Sequence, residues 1–314
     1  MNWARVKTWA YRLGLLIGSL LFLVQIVNGV RAFNLSGFPA GYWKIGLWSL
    51  AGMGLVVGLQ IVNWGLLMQS VGVRLPGRAL ARGYVLSSLP KYIPGSIWGY
   101  FGRSHWLNED HGVAHGITNL ANLFEIEVTL LSAAAVILLS LGLEGGSWLQ
   151  VAGALILPAA LLLLTQTSLR FFRRKGWFGL GGHPGLGSLK FRFLWAAVMV
   201  SGVEWLILGG VILLLLNGSV PAIRLNDLSD WMRSVQSFTL AWLGGFFTIF
   251  VPGGLGVREL ALSGLLRGNF QASSEAATLV AIASRLFYSA GEALWLGVGL
   301  WLKAAATRTT QPPQ

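Results

Sequence analysis

Apolar residues run along this chain in long unbroken blocks, without the alternation that half-buried helices and strands of soluble proteins show. Blocks near the roughly 20 residues that a membrane helix needs fall at 13–30, 45–68, 117–141, 148–167, 194–216 and 276–302. Each predicts a spanning α-helix. Two further stretches, 84–102 and 238–257, are apolar but interrupted by Pro and Gly. Trp43, Trp148, Trp195, Trp231 and Trp301 stand near block ends, where aromatic rings settle at headgroup depth. The first block is long for a signal peptide, and Gln25-Ile26-Val27-Asn28 offers no small-residue cleavage site. A retained first helix is expected.

Composition narrows the class. Of 314 residues, 54% are hydrophobic and 11% charged, against about 25% charged in a soluble domain. So few charges cannot coat a water-facing surface, which excludes a soluble enzyme and a disordered chain. The absence of cysteine removes disulfides, thiolate metal sites and thiol catalysis.

The net charge of +12 is a matter of membrane orientation, and no nucleic-acid partner is expected. The cations cluster between apolar blocks: Arg5, Lys7 and Arg12; Arg74, Arg78 and Arg82; Arg170, Arg173, Arg174, Lys175, Lys190 and Arg192; Lys303 and Arg308. Cytoplasmic loops collect such residues. All four groups share one side if 84–102 and 238–257 enter and leave on the same face. The expectation is an all-α polytopic membrane protein of one integral domain, with six full spans, two re-entrant hairpins, and both termini cytoplasmic.

This layout contains a symmetry. Residues 45–141 form a span–hairpin–span unit, and 194–303 form a second. The span at 148–167 separates them, so their orientations are opposite. Asn122-Leu123-Phe124 and Arg285-Leu286-Phe287 echo one another after the two hairpins. Inverted repeats with broken helices characterise secondary transporters. The basic loop 169–192 is expected to be cytoplasmic.

The broken stretches hold the candidate chemistry. The first carries Lys91, Tyr92, Pro94, Gly95 and Trp98, with Arg103 downstream. The second reads Pro252-Gly253-Gly254-Leu255-Gly256-Val257-Arg258-Glu259. Proline removes a backbone donor, and glycine permits turns that other residues resist. Backbone freed at membrane depth must line protein or a wet cavity. A helix starting beyond the break aims unpaired N–H groups and its positive dipole end into that cavity. With Arg103 and Arg258 added, this describes a site for an anion such as a lipid phosphate. Ordinary loops whose arginines snorkel to the interface are the plain alternative, and two breaks each trailed by Arg favour the site.

Several charges lie within spans: Glu125 and Glu127, with Asn119 and Asn122 a turn earlier, then Glu204, Arg285 and Glu292. Each costs about 3 kcal/mol at a helix centre, so each is expected to face the protein interior or water. Asn122 and Glu125 share a helix face. Glu125 and Glu259 are both candidate partners for Arg285. Glu204 and Glu292 read as structural ion-pair members. His111 and His115 at helical spacing would suit a metal, but nothing completes a site and no metal or other cofactor is expected. There is no nucleophile elbow, Walker A motif or dinucleotide fingerprint.

These motifs resemble the lysylphosphatidylglycerol synthase transmembrane-region family, the flippase-like integral membrane proteins. The resemblance rests on Lys91-Tyr92-x-Pro94-Gly95, Trp98 and Arg103, and on Pro252-Gly253-Gly254-Leu255-Gly256-x-Arg258-Glu259 with Arg285. It covers about 13–302 on the usual uncertainty of element boundaries. The chain departs from the pattern at Ser96 and Ile126, where the family commonly has basic residues. The resemblance implies a stand-alone member lacking the soluble synthase domain, which moves or binds lipids in the cell membrane. Its implied partners are an anionic phospholipid or a polyprenyl-phosphate-linked lipid, and a lipid-synthesis enzyme or glycosyltransferase.

Function is therefore expected to be lipid translocation by alternating access, not enzymic catalysis. The substrate-binding candidates are Lys91, Tyr92, Pro94, Gly95, Arg103, Asn122, Glu125, Pro252, Gly253, Gly254, Gly256, Arg258, Glu259 and Arg285. Two alternatives stand beside it: a membrane-embedded transferase on a lipid-linked sugar, with Glu125 or Glu259 as base, and a non-catalytic partner of a synthase.

Overall fold

The computed structural model describes residues 42–88, 98–174, 190–219, 223–248 and 254–309, together with Val27. The block at 13–30 thus lies outside the described residues but for Val27. So do the centre of the first broken stretch, 89–97, and residues 249–253 of the second. Among the described residues the structure is all-helical, with no strand. In chain order the helices are α1 (Tyr42–Ser70), α2 (Gly77–Ser88), α3 (Trp98–His111), α4 (His115–Gly145) and α5 (Trp148–Arg174), then α6 (Phe191–Asn217), α7 (Leu228–Phe247), α8 (Val257–Phe270) and α9 (Ser274–Thr309).

Five of these are long and apolar enough to cross a membrane: Trp43–Ser70, His115–Gly145, Trp148–Phe171, Phe191–Asn217 and Ser274–Trp301. They correspond to five of the six apolar blocks. A helix is the one open-ended element that satisfies all its backbone groups internally, so an apolar block in lipid folds this way whatever its finer sequence. Trp43 and Trp148 are exposed at helix starts and Trp301 at the end of the apolar part of α9, as interfacial anchors are. Leu149, Leu155, Ile156, Leu163 and Leu164 keep much of α5 apolar on its outside. This is the architecture of an integral membrane protein.

The remaining helices are short. At 12 and 14 residues, α2 and α3 extend about 20 Å each at 1.5 Å per residue, less than the roughly 30 Å of a bilayer core. The 14 residues of α8 are likewise too few. Helix α7 has 20 residues and opens on a polar turn. There Asp227 caps it by accepting from the Ser229 N–H at 2.9 Å, one of the orphan donors that every helix start presents.

The described chain divides into two compact units. One comprises Met1–Val56, Ser88–Gly99 and Leu206–Ala293; the other comprises Val57–Ser87, Tyr100–Trp205 and Leu294–Gln314. In the second unit, Trp64, Leu67 and Met68 of α1 form a core with Leu107 of α3, Phe124 and Val128 of α4, Leu162 of α5 and Leu194 of α6. Gly83 leaves room there for Trp106: a methyl at this position would collide with the indole. In the first unit, α7 packs along α8, with Phe238 and Leu262 buried.

Helix ends follow local chemistry. Gly112 turns left-handed at φ 64° and closes α3, with its N–H on the Asn108 carbonyl at 3.0 Å and the Val113 N–H on Leu107 at 3.1 Å. His111 and His115 therefore belong to different helices, which corrects the single helical face that their spacing suggests. His115 Nδ1 instead meets Ser104 Oγ at 2.9 Å.

Candidate functional site

Charged side chains from short and long helices meet in two clusters among the described residues, one in each compact unit. In the second unit Arg103, on α3, is buried. Its Nη1 donates to Glu125 Oε2 at 2.5 Å and to Asn122 Oδ1 at 3.4 Å, and its Nε donates to Ser87 Oγ at 3.0 Å. The guanidinium also lies 4.8 Å from the Trp64 ring and 4.7 Å from that of Tyr84. Arginine's planar fork suits such a setting, with charge-assisted bonds in the plane and aromatic faces against it. Asn122 and Glu125 do share a helix face, and Arg103 bonds to both.

The other cluster is built on the glycine-rich turn before α8. Gly254 and Gly256 have φ of 64° and 79°, a region that side chains rarely adopt. Gly254 also approaches α7 so closely that a methyl there would lie 2.8 Å from the Gly245 Cα. Two glycines facing each other let the turn meet α7 backbone to backbone. This explains part of the Pro-Gly-Gly-Leu-Gly spacing in structural terms.

The first turn of α8 then presents Arg258 and Glu259. Glu259 is 1% exposed. Its Oε2 accepts from the Gly256 N–H at 2.7 Å, and its Oε1 accepts from Arg285 Nη1, on α9, at 2.6 Å. Of the two candidate partners for Arg285, the structure selects Glu259. Glu259 thus fills the anion position at its own helix start, as the acidic half of a capping box does. Arg258 lies 4.6 Å above the Phe238 ring and forms no ion pair with a described carboxylate.

Compared with models of protein families, with curated proteins and with solved structures, the chain matches none.

Lys91, Tyr92, Pro94, Gly95, Pro252 and Gly253 lie outside the described residues. The other eight candidates divide cleanly: Arg103, Asn122 and Glu125 in one cluster, and Gly254, Gly256, Arg258, Glu259 and Arg285 in the other. Glu127 accepts a hydrogen bond from Thr165 on α5, beside a groove of about 470 Å³ lined by leucines. Glu204 and Glu292 are buried.

Sequence reasoning missed the residues that hold the arginines. Ser87, Trp64, Tyr84 and Phe238 sit in apolar stretches among many similar residues, and nothing in their spacing links them to a guanidinium. A rule that every in-span arginine needs an aromatic face would have narrowed the search without choosing among the rings.

Proposed function

We propose that this protein is a lipid transporter that moves a phosphate-bearing lipid between leaflets, with Arg258 meeting the phosphate. One observation carries the reading. Of the three arginines in the clusters, Arg103 and Arg285 bond directly to a carboxylate, while Arg258 stacks on a ring and meets the charges of Glu259 and Glu292 without a direct ion-pair contact. A buried or half-buried cation with no carboxylate in direct contact keeps part of the cost of its burial in an apolar setting. That cost is recovered when an anion arrives, which is how a binding site differs from a structural pair.

The location supports the chemistry. Arg258 follows a Gly-rich break at the start of a short helix, where backbone dipoles favour negative charge. Glu259 takes the Gly256 N–H, and in this reading the ligand's negative charge meets the Arg258 side chain. Lipid tails need no protein pocket, since they remain in the bilayer. In this reading 13–30 supplies a sixth span, and the two breaks are the tips of re-entrant hairpins in inverted halves. The cationic loops and both termini face the cytoplasm of the cell membrane. The resemblance to flippase-like proteins, through Pro252-Gly253-Gly254-Leu255-Gly256-x-Arg258-Glu259, agrees with such cargo: an anionic phospholipid or a polyprenyl-phosphate-linked lipid.

Native mass spectrometry of the detergent-purified protein, wild type beside Arg258→Ala, tests the proposal. The expected result is a phosphate-bearing lipid retained by wild type and lost from the variant, with matching loss of flux in vesicles. Equal retention by both forms overturns the assignment. A covalently altered lipid product would instead identify a membrane transferase.

A further inference from the structure

Glu204 stands midway along α6, 6% exposed, and the ion pairs described above do not use it. Its Oε1 is buried with no hydrogen-bond donor. The polar groups that act on it are Asn63, on α1, which is its hydrogen-bond donor, and Glu125, on α4, a like charge. Asn63 is itself 5% exposed, and its Oδ1 is also buried without a donor. The Glu125 charge is already matched by Arg103 from α3. Glu204 is therefore the surplus negative charge of this interior, and it pairs with no described cation.

Two neighbouring acceptors without a donor are an unusual combination. Buried polar groups are nearly always satisfied, and a lone buried carboxylate is more costly than a neutral group. An amide can offer its NH₂ to one carboxylate oxygen, but the amide oxygen and the second carboxylate oxygen then both remain bare. Rotating the amide exchanges the roles and leaves the deficit. A water could donate to both but would leave the carboxylate charge unbalanced; a positive charge held between them meets both needs.

We propose that Glu204 and Asn63 form a binding site for one monovalent cation, a proton or a sodium ion, shared between the carboxylate and the amide oxygen. Its occupancy neutralises the surplus charge beside the Arg103–Glu125 pair. A bound proton forms a carboxyl O–H that donates to Asn63 Oδ1, and two acceptors suffice. Sodium, a hard cation, would draw on further oxygens from neighbouring carbonyls or water. The inference does not depend on the transport reading, because cation binding is measured without lipid. If that reading also holds, the site gives a transporter with no ATP motif an ion to couple to.

The purified protein is studied in mild detergent with choline chloride as the background salt. Infrared difference spectra across a pH titration report the carboxyl C=O stretch, and thermal melting across a sodium titration at constant ionic strength reports sodium. The proton form predicts a carboxyl band in wild type that disappears as pH rises and is missing from Glu204→Gln. The sodium form predicts that wild type melts several degrees higher with sodium than with choline, and that Glu204→Gln shows no such rise. If Glu204→Gln does not fold, Asn63→Ala is read instead, and should shift the midpoint of either titration by about tenfold. A wild type that shows neither response overturns the site. So does a Glu204→Gln protein that keeps the wild-type response, or a midpoint unmoved in Asn63→Ala. None of these results bears on Arg258, so the two proposals fail separately.

Discussion

Glu259 on α8 and Arg285 on α9 meet at 2.6 Å, and Arg103 on α3 meets Glu125 on α4 at 2.5 Å with the signs exchanged. In each case a short helix that follows a broken stretch is tied to the long helix after it by one buried ion pair. The exchange of sign has a functional side. Where the acid is on the short helix, it lies beside a second arginine, Arg258, which no carboxylate contacts directly. Where the arginine is on the short helix, it is bound by Glu125, Asn122 and Ser87.

Breaking the Glu259–Arg285 pair is expected to be costly. Removing one member of a buried pair leaves an uncompensated charge, for about 3–5 kcal/mol. Arg285→Ala should lower the melting temperature in detergent more than the double variant Glu259→Gln, Arg285→Ala does. Additive losses would show that the two residues are energetically independent.

Arg103→Lys should behave as a non-conservative change. Lysine has no planar fork to hold Ser87, Asn122 and Glu125 at once, and it stacks poorly on two rings. We expect a loss of about 1–3 kcal/mol, while Ser87→Ala costs about 1 kcal/mol. Thermal or denaturant unfolding of the three proteins side by side checks the order.

Gly254→Ala is expected to destabilise α7–α8 packing, because the new methyl meets the Gly245 backbone and the positive φ disfavours it. Gly264→Ala, in open space on α8 itself, supplies the control. It should be neutral or stabilising by up to about 1 kcal/mol, since alanine favours helix over glycine.

Topology is testable because the chain has no cysteine, so each introduced thiol is unique. With re-entrant hairpins, Arg78→Cys and Lys190→Cys label from one side of the membrane, and Ser147→Cys labels from the other. If the first broken stretch instead crosses fully, Ser147→Cys joins Arg78→Cys and Lys190→Cys stands alone.

The long helices were legible in the sequence because lipid acts as a uniform solvent. Any block without charges must bury its backbone bonds in a helix there, and 117–141 or 194–216 needs no finer code. Their ends were less legible. Helix α4 begins at His115 and runs to Gly145, and α9 continues to Thr309, because backbone hydrogen bonding carries on past the apolar residues until a residue such as Gly146, at φ 65°, ends it. The breaks announced themselves through Pro and Gly. The choice of Glu259 over Glu125 as the partner of Arg285 did not, since it depends on which helices pack together. The same holds for the bare acceptors of Asn63 and Glu204. The cost of an in-span carboxylate points Glu204 inward, but nothing in the sequence says that Asn63 is the residue it meets.

The carboxylate of Glu259 spans two fixed points, the Gly256 amide and the Arg285 guanidinium, and so acts as a ruler. Aspartate keeps the charge but is one methylene short of bridging both, and glutamine keeps the length but offers a single acceptor oxygen. A saturation scan should therefore tolerate almost nothing at this position, and rank aspartate close to alanine. Such a profile separates a residue whose reach is selected from one selected for charge alone, and it can be read by genetics before any lipid is named.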